Sequence, residues 1–61
     1  MIYRVFYSRE GRPLGDTPCA KSLDETKQFA RDGLIRHQAD TAEIIDDDGN
    51  GTLVWTEKAD A

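Results

Sequence analysis

The block Asp46-Asp47-Asp48-Gly49-Asn50-Gly51 stands between two apolar runs, Ala42 to Ile45 and Leu53 to Trp55. Asp, Asn and Gly tolerate left-handed backbone angles and bond locally to the chain, so six of them in a row end whatever precedes them. The flanking runs are too short for helices and carry the β-branched and aromatic residues that suit strands. Ala42 and Ile44 share one face of such a strand, Glu43 and Ile45 the other. Leu53 and Trp55 share a face, opposite Thr52, Val54 and Thr56. The spacing predicts a hairpin with strands over Ala42–Asp46 and Thr52–Glu57, and its tip at the acidic block.

A lone hairpin is marginal in water, so the rest of the chain must cover it. The chain has 61 residues, which is one domain, with 58–61 expected as a frayed tail. A chain of this length buries only roughly 60% of the surface its unfolded form exposes, and gaining area by self-association is one remedy. A single Cys precludes an internal disulfide and suits a reducing cytoplasm. Residues 1–7 are apolar but short and interrupted by Arg4, so neither a signal peptide nor a membrane span is expected. The start at Met1 suggests a complete small gene product.

Ile2 to Ser8 reads as the first strand. Tyr3, Val5 and Tyr7 lie on one face; Ile2, Arg4, Phe6 and Ser8 lie on the other. Gly11, Pro13, Gly15 and Pro18 punctuate the next stretch, 9–21, which reads as a connection. Within it, Leu14 and Cys19-Ala20 could add a short edge strand, and Pro18 would confine that strand to the edge. Ser22 to about Gln38 reads as a helix. Ser22 and Glu25 have capping-box spacing, and Leu23, Thr26, Ala30, Gly33, Leu34 and His37 fall on one stripe. Gly33 on that stripe would let the helix approach the sheet closely, whereas Ile35 points away.

The expected fold class is therefore α+β, in the order β-α-β-β: a three-stranded, mainly antiparallel sheet with one helix on one face. The strand over Thr52–Glu57 is expected in the middle. A parallel pairing of the first strand with Ala42–Asp46 is the alternative. The layout resembles that of many small bacterial proteins, a likeness that implies nothing about activity.

Residues 46–57 also carry a motif. Asp46, Asp48 and Asn50 take alternate places, Gly51 the sixth and Glu57 the twelfth. The segment resembles the EF-hand calcium loop, which implies calcium held by Asp46, Asp48 and Asn50. The same residues also make an ordinary hairpin turn. Leu53 to Thr56 is strand-like, and four residues after Glu57 are too few for an exit helix, which favours the turn. On strands, Glu57 would lie too far from Asp46 to close a site, leaving any calcium in an open one.

Other chemistry is sparse. His37 is the sole histidine and sits where a helix end suits a cation. Cys19 has no motif that would activate it, and nothing in the sequence brings it to His37. No catalytic constellation is present, so the chain is expected not to be an enzyme. The formal charge is −4, and residues 41–61 alone carry −5, which disfavours nucleic acid as a partner. What remains is the apolar character of both strand faces. One helix covers one face, leaving Ile2, Phe6 and Ile45, with either Leu53 and Trp55 or Val54, on the other. Unless residues 9–21 fold across it, that face would bind a second copy or another protein. The expected partner-binding residues are thus Ile2, Phe6, Ile45 and Trp55.

Overall fold

The computed structural model describes residues 2–47, 49 and 51–59. It is α+β, in the order β1 (Tyr3–Arg9), β2 (Arg12–Cys19), α1 (Leu23–Arg36), β3 (Thr41–Asp46), β4 (Thr52–Lys58). The four strands form one antiparallel sheet in the order β2-β1-β3-β4, with α1 lying over β1 and β3.

Two expectations are corrected. The sheet has four strands, not three, because residues 12–19 return along β1 as a full strand. The strand after the acidic tip is at the sheet's edge, and β3 takes the place beside β1, antiparallel to it. The second correction follows from the first. The β1–β2 hairpin reverses the chain before the helix begins. The helical crossover therefore joins β2 to β3, which run in the same direction with β1 between them.

The β1–β2 turn is Glu10-Gly11, with φ of 53° and 77°. Positive φ at both central residues is the two-residue turn whose twist matches the flanking strands. Asp40 secures it: one carboxylate oxygen accepts from the Glu10 amide at 2.7 Å. The Asp40 amide also donates to Ser8 O, and its carbonyl accepts from the Ala59 amide. Along β2, the register slips between Tyr7 and Ser8, leaving Leu14 as an extra residue between Pro13 and Gly15. Pro13 and Pro18 are accommodated because β2 is an edge strand with a bulge.

The helix begins as its spacing predicts. The Glu25 amide donates to Ser22 Oγ at 3.2 Å, and the Ser22 amide donates to Glu25 Oε1 at 3.4 Å. It ends at the C-cap His37. Gln38 follows with φ 54°, its amide on Ile35 O, while the Ala39 amide reaches Leu34 O. This is a Schellman ending, with glutamine in the left-handed place that glycine usually takes. Leu34 and Ala39, the apolar pair that accompanies such an ending, are both buried.

Tyr3, Val5, Tyr7, Ala42 and Ile44 from the sheet meet Ala30 and Leu34 from the helix in one core, with Ala39 beside them. Leu23, Phe29 and Trp55 pack around its margin. Gly33 is buried against Tyr7, and a Cβ there would overlap the Tyr7 phenol. The missing side chain is what lets helix and sheet meet at this distance. Lys58, expected in a frayed tail, is the last residue of β4. No helix among the described residues is long and apolar enough to cross a membrane.

Candidate interaction face

The strand alternation that buries Tyr3, Val5 and Tyr7 turns Arg4, Phe6 and Ser8 to the side away from α1. Pairing register extends that face across the sheet in rows. Arg4 lies between Pro18 and Ile45, with Leu53 beyond; Phe6 lies between Asp16 and Glu43, with Thr56 beyond. Residues 12–19 do not fold across this face. They widen it by one strand.

Arg4 holds the face together. Its Nη1 is 2.7 Å from Asp16 on β2, and its Nε is 3.3 Å from Asp47 beyond β3. The bonds to Asp16 and then to Asp47 raise the Arg4 pKa above the ordinary guanidinium value, so the charge is permanent. The Asp47 amide donates to Ile2 O, which carries the β1–β3 ladder one step further. Sequence patterning missed Arg4, because nothing in one strand reveals which carboxylates its neighbours will supply.

The apolar residues gather at one end. Ile2 precedes β1, Ile45 is the last residue but one of β3, and Leu53 and Val54 follow the first residue of β4, all beside the acidic tip. Ile2, Leu53 and Val54 are 42%, 53% and 41% exposed, whereas Phe6 and Ile45 are half-buried. Trp55 is elsewhere. It packs against the core on the helix side, with the Arg31 guanidinium 5.5 Å from its ring centre. A register slip between Ile44 and Ile45 causes the split: Trp55 stays opposite buried Ile44, while Leu53 falls opposite Ile45. Regular alternation puts Leu53 and Trp55 together, and no residue in β4 signals the bulge.

Of the expected calcium ligands, Asp48 and Asn50 lie outside the described residues. Asp46 ends β3, its carbonyl accepts from the Gly51 amide at 3.0 Å, and its carboxylate lies beside Gly49. Glu57, the twelfth residue of the loop pattern, is on β4 and pairs with Arg31 at 3.2 Å. Among the described residues there is no group of three or more His, Cys, Asp or Glu side chains that could hold a metal.

Cys19 and His37 are not brought together. Buried Cys19 accepts from the Thr26 hydroxyl in the first turn of α1, and His37 caps the far end. At 1.5 Å of rise per residue, Thr26 and His37 are about 16 Å apart along the axis. The His37 ring instead leans on Tyr7, with centroids 5.1 Å apart. Burial raises the Tyr7 pKa, against the nearby positive charge of Arg36, so its hydroxyl stays protonated.

No family model, curated protein or solved structure matches the chain.

Proposed function

We propose that the chain is a non-enzymatic binding module whose working surface is the helix-free face of its sheet, and that it pairs there with a second copy of itself. One observation carries this: strand alternation and register put exposed Ile2 and Leu53 at one end of a face that no described element covers. A two-fold axis through that end sets the apolar cluster against the same cluster of the second copy, the self-complementary arrangement of symmetric dimers. The chain extends 31 × 19 Å in its two longer directions. Two such faces, fully covered, would bury at most about 1,200 Å² between them, the lower bound of stable interfaces, so the pairing is weak and concentration-dependent. Sedimentation from micromolar to millimolar protein tests it. The expected result is a rising average mass that Leu53→Glu abolishes; a monomer throughout would end the reading.

A second reading rests on the loop pattern of residues 46–57, with Asp46, Asp48 and Asn50 holding a calcium ion in an open, weak site. It is supported by the resemblance and by the Asp46 carboxylate beside Gly49. Calcium titration to the millimolar range, followed by Trp55 fluorescence and the Gly51 amide shift, decides it. If neither signal moves, the tip is only a turn.

A further inference from the structure

The helix lies mainly over β1 and β3 and covers β2 at buried Cys19, leaving the helix side of residues 14–17 more open. A groove of about 320 Å³ opens there, between β2 and the C-terminal half of α1. Its presence follows from small residues and a bulge. Gly15, opposite Tyr7, brings no side chain to that side, and Leu14 is the extra residue of the β2 bulge. Tyr7 and Gly33, both buried, line the inner wall; Phe29 and Leu14 supply apolar surface; Arg36 and His37 stand at the rim.

The volume is at the lower end of small-molecule sites, which are mostly apolar with a few convergent polar groups. The polar groups here are of one character. Arg36 makes no ion pair among the described residues. Asp32, one turn before it, accepts from Gln28 at 3.1 Å instead. Asp16 also lines the groove, but its carboxylate is taken by Arg4 at 2.7 Å. The Tyr7 hydroxyl makes only a long bond, 3.4 Å, to Phe29 O, and is a donor with room for a better acceptor. A planar guanidinium with free donors fits a carboxylate in two-point fashion.

Besides the Asp32 carboxylate, whose charge reaches the Tyr7 hydroxyl and is outweighed there by that of Arg36, two terms oppose an anion here. The helix C-terminus carries about half a negative charge, and the chain as a whole is negative. The first is smaller than the full charge of Arg36. It is further muted because the carbonyls of Gly33, Leu34 and Ile35 already accept backbone amides. The second is screened, since the acidic tip is at the other end of β3 from the helix terminus, beyond the roughly 8–10 Å over which exposed charges act.

From this geometry we infer that the groove between β2 and α1 binds a small carboxylate bearing an apolar ring or branched chain, its carboxylate on Arg36 and the Tyr7 hydroxyl, its apolar part between Leu14 and Phe29. The inference is independent of the sheet-face reading, because the groove is on the helix side.

The test uses benzoate, with acetate and benzyl alcohol as probes that carry only the charge or only the ring. Amide shifts are followed by two-dimensional NMR. Benzoate is expected to move Gly15, Gly33 and His37 saturably in the millimolar range, leaving Ile2 and Leu53 in place. Benzyl alcohol should bind about tenfold more weakly, as should benzoate to Arg36→Gln, since a lost charge-assisted bond is worth about that factor, and acetate should bind at least as weakly because it lacks the buried ring. Leu14→Ser, at an exposed position and without a change of charge, should weaken benzoate similarly. The inference is overturned if benzoate produces no saturable shift at tens of millimolar. It is equally overturned if benzyl alcohol or acetate matches benzoate, or if folded Arg36→Gln binds as the parent does.

Discussion

The β1–β2 and β3–β4 hairpins are built on opposite principles. β3 and β4 are rich in apolar residues, and Ile44 and Trp55 form a cross-strand pair against the core. Their connection, 47–51, is five residues of Asp, Gly and Asn. β2 has one buried residue, Cys19, and two prolines, yet it pairs with β1 along its whole length. It is held by its two-residue turn, by Asp40 from outside the hairpin and by the backbone ladder. One outer strand is fixed by what it buries, the other by what its backbone is obliged to do. The consequence reaches the edges of the sheet. Two prolines make β2 a poor template for another strand, whereas β4, though it too has a bulge, has no proline and exposes Leu53 and Val54.

Breaking the burial side of the comparison should have the largest effect. Trp55→Ala removes a half-buried indole and the surface under Arg31, and is expected to cost about 3 kcal/mol. Total stability for a chain of this size is only about 3–9 kcal/mol, so the variant should be largely unfolded under mild denaturant. Thr17→Ala, at an equivalent depth on β2, should cost less than about 0.5 kcal/mol. Urea denaturation of both checks the contrast. Equal losses would mean that β2 depends on its side chains as much as β4 does.

The next effect is at the contact between α1 and β1. Gly33→Ala gains about 1 kcal/mol of helix propensity but forces Tyr7 to move, and overpacking of a buried ring costs about 1–3 kcal/mol. A net loss of up to about 2 kcal/mol is expected. Removing the phenol oxygen in Tyr7→Phe should return only part of it, because ring carbons overlap the new methyl as well. A double-mutant cycle by chemical denaturation reads the coupling directly. Full additivity would show that the helix has shifted away instead.

That contrast also governs what was legible in the sequence. The helix, its Ser22–Glu25 cap, the role of Gly33 and the β3–β4 hairpin were all readable, because each depends on side-chain spacing or turn composition. β2 was legible only as an optional short edge strand at Leu14 and Cys19, because Arg12 to Thr17 has no apolar period, and its turn uses glutamate where asparagine or aspartate would announce one. Missing β2 reversed the predicted position of β4, since the direction of every later strand depends on it. On the open face, Ile2 and Ile45 were placed correctly by alternation, whereas Trp55 was lost to a bulge that only the register reveals. The groove beside β2 was invisible for the same reason as β2 itself.

Two left-handed residues allow the backbone side of the comparison to be strengthened. Glu10 and Gln38 adopt positive φ without being glycine or asparagine. Glu10→Asn at the hairpin turn and Gln38→Gly at the helix end should each stabilise by about 1 kcal/mol, the cost of holding an ordinary side chain in that region. Thermal denaturation should show both shifts adding, because the two sites share no partner. If Glu10→Asn gives no gain, the turn is held by its surroundings and not by its own backbone preference.

The surroundings at that turn are Asp40, and the smallest effect belongs to it. The Glu10 amide lowers the pKa of the Asp40 carboxyl below its ordinary value, helped by the Thr41 hydroxyl and by Arg9 nearby. A carboxyl whose folded pKa is lowered stabilises the fold at pH values above its unfolded pKa. It loses that contribution as pH falls through the folded one. Asp40→Asn keeps an amide oxygen to accept the Glu10 bond and removes only the charge. Near neutrality it should therefore melt slightly below the parent. On acidification through the carboxylate range the two melting temperatures should converge, because the parent's Asp40 becomes neutral as well. Added salt should leave the difference mostly intact, since a direct bond to a backbone amide is screened far less than a distant charge. A gap that persists unchanged into acid would show that the β1–β2 turn is tied by shape at Asp40 and owes nothing to its charge.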